Sequence, residues 1–254
     1  MWEFSLNFKS ENFEIAKHVH NCLILPTKSM GGFVTSSENN GIISVLMAVE
    51  GDFEERMKGV LSGIVTEIIC TKYKSDFLNR YLALPLQDQV GLHAFKKALL
   101  NFDRETDKYI VKRALCFTDS LYIDSFYAFR LKPLQEKWEE LVVLSNENRD
   151  YLVSKESFID LLKFLVDNLD ICENEISVVK EDDGYRILSC ENSFYLNRLI
   201  SEERVVSSVI DLSPQKINLY FKETSSAINL MQRIFEERII INQEHSNIKK
   251  FKIN

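Results

Sequence analysis

Residues Phe33–Val49 read FVTSSENNGIISVLMAV and predict a β-hairpin. The two arms are Phe33–Ser36 and Ile42–Val49, and Asn40–Gly41 supplies the positive φ angles that a tight hairpin turn requires. The second arm is apolar on both faces, which is typical of a strand that is covered on both sides. We therefore expect Ile42–Val49 to lie in the centre of a sheet.

The segments on either side of this hairpin continue the mixed pattern. Apolar residues alternate from Trp2 to Phe8 and predict a strand with one buried face. After the hairpin, Asp52 begins a helical stretch that we expect to reach Tyr81. Gly59 and Gly63 lie four residues apart inside it, and this spacing indicates close packing of another element against the helix.

Residues from about 88 to 170 predict helices alone. Pro133 predicts a helix boundary or a kink within this region. The strongest helical signal in the chain begins at Ser154, because apolar residues recur there at the spacing of one helix face. These residues are Phe158, Leu161, Leu162, Leu165 and Leu169.

The last third of the chain returns to mixed structure. Glu175–Val179 and Tyr185–Ser189 predict a second hairpin around the turn Asp182–Asp183–Gly184. Two further strands, Ile217–Phe221 and Ile239–Ile241, are separated by a predicted helix. This strand–helix–strand unit has the length of a crossover between parallel strands. The basic tail Lys249–Lys252 follows.

These patterns predict an α+β fold in which short strands and hairpins at both ends flank an all-helical middle. We assign residues 1–86 to an N-terminal α+β segment, 87–172 to the helical middle and 173–254 to a C-terminal α+β segment, with Pro85 ending the first. Two arrangements stay open. Either the middle is a helical insert between two halves of a single sheet, or the helices join two small α+β domains.

Composition and charge exclude several classes of protein. The 254 residues are 45% hydrophobic and include only 8 Gly and 4 Pro, which excludes collagen-like, low-complexity and disordered chains. The net charge of −7 argues against a phosphate-seeking surface. No secretory signal is evident, and the longest near-apolar stretch, Ile42–Val49, is far shorter than the roughly 20 residues of a membrane span. We expect a cytoplasmic protein without a membrane span.

The chemically active residue types form no catalytic or cofactor motif. The five cysteines are widely spaced and predict free thiols. His18 and His20 are two residues apart and would not share a helix face, so they predict no common metal ion. Gly31–Gly32 lead into a strand, unlike a phosphate loop, and Asp182–Asp183 belong to a turn. We predict no cofactor, and the lack of a catalytic motif favours a protein that is not an enzyme.

Three residues in the middle of the chain are candidates for contact with a ligand or partner. Arg130 follows Phe129 in an aromatic segment, where the arginine either forms an ion pair within the packing or holds an acidic partner or ligand. His93 lies near a predicted helix start, where capping or packing is its default role. Several short helices with basic residues between 88 and 131 also allow a helix-turn-helix. Acidic residues interleave with these basic ones, so nucleic acid is not the favoured partner.

Several segments between about residues 125 and 241 carry a family resemblance in their order and spacing. They are Phe126–Leu131, which ends in Phe-Arg-Leu, then Glu156–Asp167, Asp183–Tyr185, Ser207–Ile217, and Ile234–Phe235 with Arg238. Together they resemble the YtxC-like family, which is described as sporulation proteins of spore-forming Firmicutes. Many relatives carry a cluster of cysteines after the last arginine, whereas this chain has Ile239–Glu244 without a cysteine. The resemblance implies a sporulation-associated cytosolic protein and carries over no catalytic residue.

The resemblance and the missing catalytic motif together favour a non-catalytic protein that acts through protein partners. One alternative is an enzyme or small-molecule-binding protein with an unrecognised site. The other is a nucleic-acid-binding regulatory module built on the helices between 88 and 131. The candidate contacts are Phe129, Arg130, His93 and Arg238, and a pocket shared by Arg130, Arg238 and His93 would indicate one common site.

Overall fold

The computed structural model describes residues 1–83, 88–147, 154–189 and 199–242. Pro85, Cys190, the basic tail Lys249–Lys252 and the boundary assigned between residues 86 and 87 lie outside these ranges. The chain divides into two compact units. The first contains Met1–Tyr81 and Arg104–Val143, and the second contains Leu82–Asp103 and Leu144–Asn254.

The described residues form helices and strands that confirm the α+β class. The strands are β1 (Trp2–Lys9), β2 (Phe33–Asn39), β3 (Ile42–Val49), β4 (Ser120–Tyr122), β5 (Glu173–Glu181), β6 (Gly184–Ser189), β7 (Pro214–Tyr220) and β8 (Ile239–Asn242). The helices are α1 (Phe13–Ser29), α2 (Glu54–Ile68), α3 (Lys74–Tyr81), α4 (Gln89–Asn101), α5 (Arg104–Ala114), α6 (Lys132–Glu147), α7 (Lys155–Asp167), α8 (Glu202–Leu212) and α9 (Ser226–Phe235). Two five-residue π-helical segments, Ile69–Tyr73 and Phe126–Arg130, precede α3 and α6.

The first unit contains a four-stranded sheet in the order β2-β3-β1-β4. The hairpin is confirmed, with φ of 50° at Asn40 and 76° at Gly41, and β3 lies between two neighbours as its apolar faces predict. The first arm continues to Asn39, beyond the predicted end at Ser36. β1 pairs antiparallel with β3, whereas β4 runs parallel to β1.

One face of this sheet forms the core of the first unit. Leu6 and Phe8 of β1 lie opposite Val45 and Ile43 of β3, and these side chains are buried. Helices α1 and α2 cover them with a buried stripe at helical spacing, formed by Ala16, Val19, Leu23, Met57, Leu61 and Val65. The period-two strands and the period-3.6 helices therefore meet on a single apolar layer.

The structure corrects two predictions for this unit. The middle of the chain is not all helical, because Ser120–Tyr122 form β4, a three-residue strand too short to leave a periodic signal. The prediction that Gly59 and Gly63 mark close packing is also wrong. A methyl group added at either glycine would meet no atom within 4 Å, so both glycines face open space on α2.

The second unit contains its own four-stranded sheet, in the order β6-β5-β7-β8. The predicted hairpin is the antiparallel pair β5–β6, with Gly184 at φ 151° in its turn. β7 and β8 are parallel and joined by α9, which confirms the predicted crossover. The described strands of the two chain ends thus form separate sheets, and not the single shared sheet that was one of the two arrangements.

A buried charged cluster connects three helices of the first unit. The carboxylate of Asp107 on α5 is fully buried and accepts hydrogen bonds from Lys74 Nζ at 2.7 Å, Lys137 Nζ at 2.7 Å and Trp138 Nε1 at 3.1 Å. Lys74 belongs to α3, while Lys137 and Trp138 belong to α6. Burial lowers the pKa of Lys74, and the adjacent Asp107 carboxylate opposes this shift. Since an isolated buried charge is costly, the cluster fixes how these helices pack.

Replacing Asp107, the acceptor that the three donors share, should lower the stability of the first unit. For Asp107→Ala we expect the free energy of unfolding of the first unit to fall by about 3–5 kcal/mol, the range for breaking a buried ion pair by removing one partner. Urea denaturation followed by tryptophan fluorescence measures this, because Trp2 and Trp138 both belong to the first unit. Asp119→Ala is the matched control, since Asp119 is exposed and should change stability by no more than about 0.5 kcal/mol. Equal losses in the two variants would contradict a structural role for the cluster.

Candidate functional site

In the π-helical segment Phe126–Arg130, one pair of side chains is directed toward the core and a second pair toward the surface. Phe126 is buried and Tyr127 is half-buried, whereas Phe129 and Arg130 are exposed. A π-helical turn is rare and is found frequently at functional sites, because the extra residue per turn redirects side chains. Here it leaves a phenylalanine and an arginine side by side at the surface.

The inward pair holds this segment against the rest of the first unit. The Tyr127 ring lies 4.7 Å from the Tyr73 ring and 6.1 Å from the Trp138 ring, measured between centroids. The side-chain amide of Gln135 donates a hydrogen bond of 2.6 Å to the carbonyl of Tyr127. Burial raises the pKa of Tyr127 to about 12, so its hydroxyl stays protonated in this packing at neutral pH.

Tyr73 ends the other π-helical segment and anchors the same region. Its hydroxyl donates to Oδ1 of Asp124 at 2.9 Å, and burial together with the Asp124 charge raises the pKa of Tyr73. Asp124 also accepts from the Asn12 amide at 2.9 Å and the Lys9 backbone N–H at 3.0 Å. Because Asp124 lies in the short helical segment Ile123–Ser125 just before Phe126, these bonds fix the start of the π-helical segment.

The outward pair lines a surface cleft of about 350 Å³, which we call the Phe129–Arg130 cleft. The Phe129 side chain is 74% exposed and Tyr122 of β4 is 50% exposed. Arg130 makes no ion pair with any residue that the structure describes. The remaining lining residues are Ala114, Cys116, Thr118, Ser120, Leu121, Ser125 and Phe126. Apolar surface, hydroxyl groups and one guanidinium suit recognition of a carboxylate next to an apolar group.

The other two candidate contacts have local partners in the second unit. His93 Nδ1 is hydrogen bonded to the carbonyl of Gln89 at 2.8 Å, one turn earlier on α4. Arg238 donates to the Pro214 carbonyl at 3.5 Å and lies 3.6 Å from the Asp167 carboxylate. The structure therefore brings Phe129 and Arg130 into one cleft, whereas His93 and Arg238 each contact their own neighbours.

Two further observations concern metals and membranes. Among the described residues, no group of three or more His, Cys, Asp or Glu is placed to hold a metal ion. No helix in the same ranges has the length and apolar character to cross a bilayer. The spacing of His18 and His20 predicts no common metal ion. On α1, His18 lies beside Cys22 instead, and the four-residue spacing of these two residues indicates this contact.

The described structure defines an α+β protein with two small mixed sheets and a surface cleft that exposes a phenylalanine next to an arginine. The YtxC-like family matches residues 57–240, so the chain belongs to this family. The match includes the whole Phe126–Leu131 segment and confirms the resemblance drawn from its residues. Comparisons with curated proteins and with solved structures gave no match.

The cysteines of the chain should differ sharply in reactivity. Burial raises the pKa of the Cys70 thiol to about 12, and the nearby Asp107 charge adds to this shift. Because the thiolate is the nucleophile, we expect iodoacetamide at pH 8 to leave Cys70 unmodified in the folded chain. The exposed thiols of Cys22, Cys116 and Cys172 should be alkylated, as peptide mass spectrometry would show. Alkylation of Cys70 at the rate of Cys116 without denaturant would show that the described core opens readily.

Proposed function

We propose that the chain is a cytoplasmic, non-catalytic protein that acts in sporulation by binding a protein partner through the Phe129–Arg130 cleft. The chain belongs to the YtxC-like family over residues 57–240. The resemblance to this family implies a sporulation-associated protein, and this supports the proposed link to sporulation. The proposal assigns recognition to the cleft, and no chemical step to any residue.

The observation that carries this proposal is the exposure of Phe129 beside an arginine without an ion pair in the described structure. Large aromatic residues and arginine are the types enriched in protein interfaces and among the residues that dominate binding energy. Phe129 is 74% exposed, and the segment that holds it is fixed by the packing of Tyr127. A fixed backbone favours binding, because less conformational entropy is lost when the partner docks.

The lining of the cleft indicates the chemistry of the partner surface. Arg130 offers a planar guanidinium that can bind a carboxylate in a bidentate manner. Phe129 and Tyr122 offer exposed apolar area in the same cleft. We therefore expect an acidic side chain next to an apolar anchor on the partner.

The helices between 88 and 131 give less support to the nucleic-acid alternative. α4 belongs to the second unit and α5 to the first, so they are not parts of one compact module. Lys97 on α4 pairs with Asp211 at 3.0 Å, and Lys108 on α5 pairs with Glu105 at 2.6 Å. Cations that are already paired neutralise fewer phosphates.

Removing the exposed ring of Phe129 should weaken partner binding without unfolding the chain. Tagged full-length protein from sporulating cells should recover a partner that is reproduced with purified components. We expect Phe129→Ala to weaken that complex by about 2 kcal/mol, or about thirtyfold in Kd, as is typical of a dominant interface residue. Isothermal titration calorimetry with the purified partner measures the change.

Phe164→Ala is the matched control for this experiment. Phe164 lies on α7 in the second unit and is 57% exposed, so the chemical change is the same at a distinct surface. We expect this variant to retain the affinity of the parent chain. The proposal fails if the tagged chain repeatedly returns alone, or if both variants bind the partner equally well.

A further inference from the structure

Two metal-ligating side chains lie next to each other on the exposed face of α1. His18 and Cys22 are four residues apart, so they lie one above the other on the helix. The distance from Cys22 Sγ to His18 Nε2 is 3.5 Å, and both residues are exposed. At the level of the sequence the two residues were treated separately. His18 shares no helix face with His20, and Cys22 has no other cysteine nearby in the sequence.

This separation is the one that a tetrahedral zinc ion imposes on two of its ligands. Zinc–sulfur and zinc–nitrogen bonds of about 2.3 Å and about 2.0–2.1 Å place the two donor atoms roughly 3.5 Å apart. The same distance also suits a thiol–imidazole hydrogen bond, which the pair makes without an ion. The donors therefore need no backbone movement to take up a cation between them.

The surroundings of the pair favour a cation. His18 and Cys22 line a groove of about 440 Å³ between α1, α2 and the π-helical segment Ile69–Tyr73. Of the charged residues of this groove, Glu67 is paired with Arg104 and Lys72 is paired with Asp76 at 2.8 Å. Glu14 is the acidic residue of the groove that forms no ion pair with the described residues. The apolar part of the lining is Ile15, Ile64 and Ile68, next to the bare backbone of Gly63.

We propose that His18 Nε2 and Cys22 Sγ form a site for a soft divalent cation of the zinc class, with the remaining coordination positions taken by water. Thiolate and imidazole together select such ions over magnesium or calcium, which prefer oxygen ligands. Two ligands four residues apart on one helix face are a known arrangement for zinc in proteins. With only two protein ligands the site is open, so its ion can exchange and can accept a further ligand from solution.

A catalytic thiol fits this geometry less well. A nucleophilic cysteine needs a base that is itself oriented by a third group. Within the described part of the chain, His18 has Cys22 as its hydrogen-bonded partner and no carboxylate that orients its ring. Binding of a metal ion requires only the two donor atoms at a suitable separation.

Cobalt is the probe for this site, because a cobalt–thiolate bond gives a charge-transfer absorption in the near ultraviolet. Reduced full-length protein titrated with Co²⁺ should develop this absorption with one ion per chain, and Zn²⁺ should displace it. Cys22→Ser should remove the absorption, and His18→Ala should weaken Co²⁺ binding at least tenfold. Both positions are exposed, so circular dichroism should show an unchanged fold in both variants.

Cys116→Ser and Cys172→Ser are the matched controls, since both thiols are exposed and neither is hydrogen bonded to a histidine in the described structure. The proposal requires that both controls keep the absorption of the parent chain. It is overturned if no thiolate absorption develops, if the absorption survives Cys22→Ser, or if His18→Ala binds Co²⁺ as tightly as the parent. Phe129→Ala should leave Co²⁺ binding unchanged, so this result is independent of the proposed partner cleft.

Discussion

One buried carboxylate determines how the first unit presents its surface. Asp107 has no access to water and is stabilised by donors from α3 and α6, so these helices can adopt only positions that keep both lysines and Trp138 in reach. Trp138 in turn supports the Tyr127 ring, and Tyr127 fixes the inward side of the π-helical segment. The exposure of Phe129 and Arg130 therefore depends on this series of contacts. A surface feature thus depends on an electrostatic constraint in the interior.

The parts of the fold that are encoded locally could be predicted from the sequence. The Asn40–Gly41 turn and the alternation from Trp2 to Phe8 fix strand type and register within a few residues. The crossover β7–α9–β8 follows from its length and from the two apolar strands that flank it. The exposed Phe129–Arg130 pair was identified as a candidate because an arginine in an aromatic segment either forms an ion pair within the packing or holds an acidic partner or ligand.

Other features depend on partners far away in the sequence and left no local signal. Asp107 lies in the charged segment Arg104–Arg113, where a solvated face is the ordinary expectation, and its lysine partners are 33 and 30 residues away. β4 is only three residues long and exists because it pairs with β1. Gly59 and Gly63 have the spacing of a packed helix, but no element covers them in the described structure. The His18–Cys22 contact is local in the sequence. It was missed because His18 was compared only with the other histidine, His20, and the cysteines only with one another.

Each of the two units contains two separate stretches of the sequence, and this affects folding during translation. The first unit requires Asp107, β4 and Trp138, so it cannot be complete while only the first hundred residues have left the ribosome. The second unit needs α4 from the same middle region as well as the last strand. Long-range pairings of this kind slow folding and leave strand edges uncovered for longer. Translation in vivo therefore passes through a nascent chain with an unfinished sheet, and a fragment ending near residue 86 would be a truncated intermediate and not a domain.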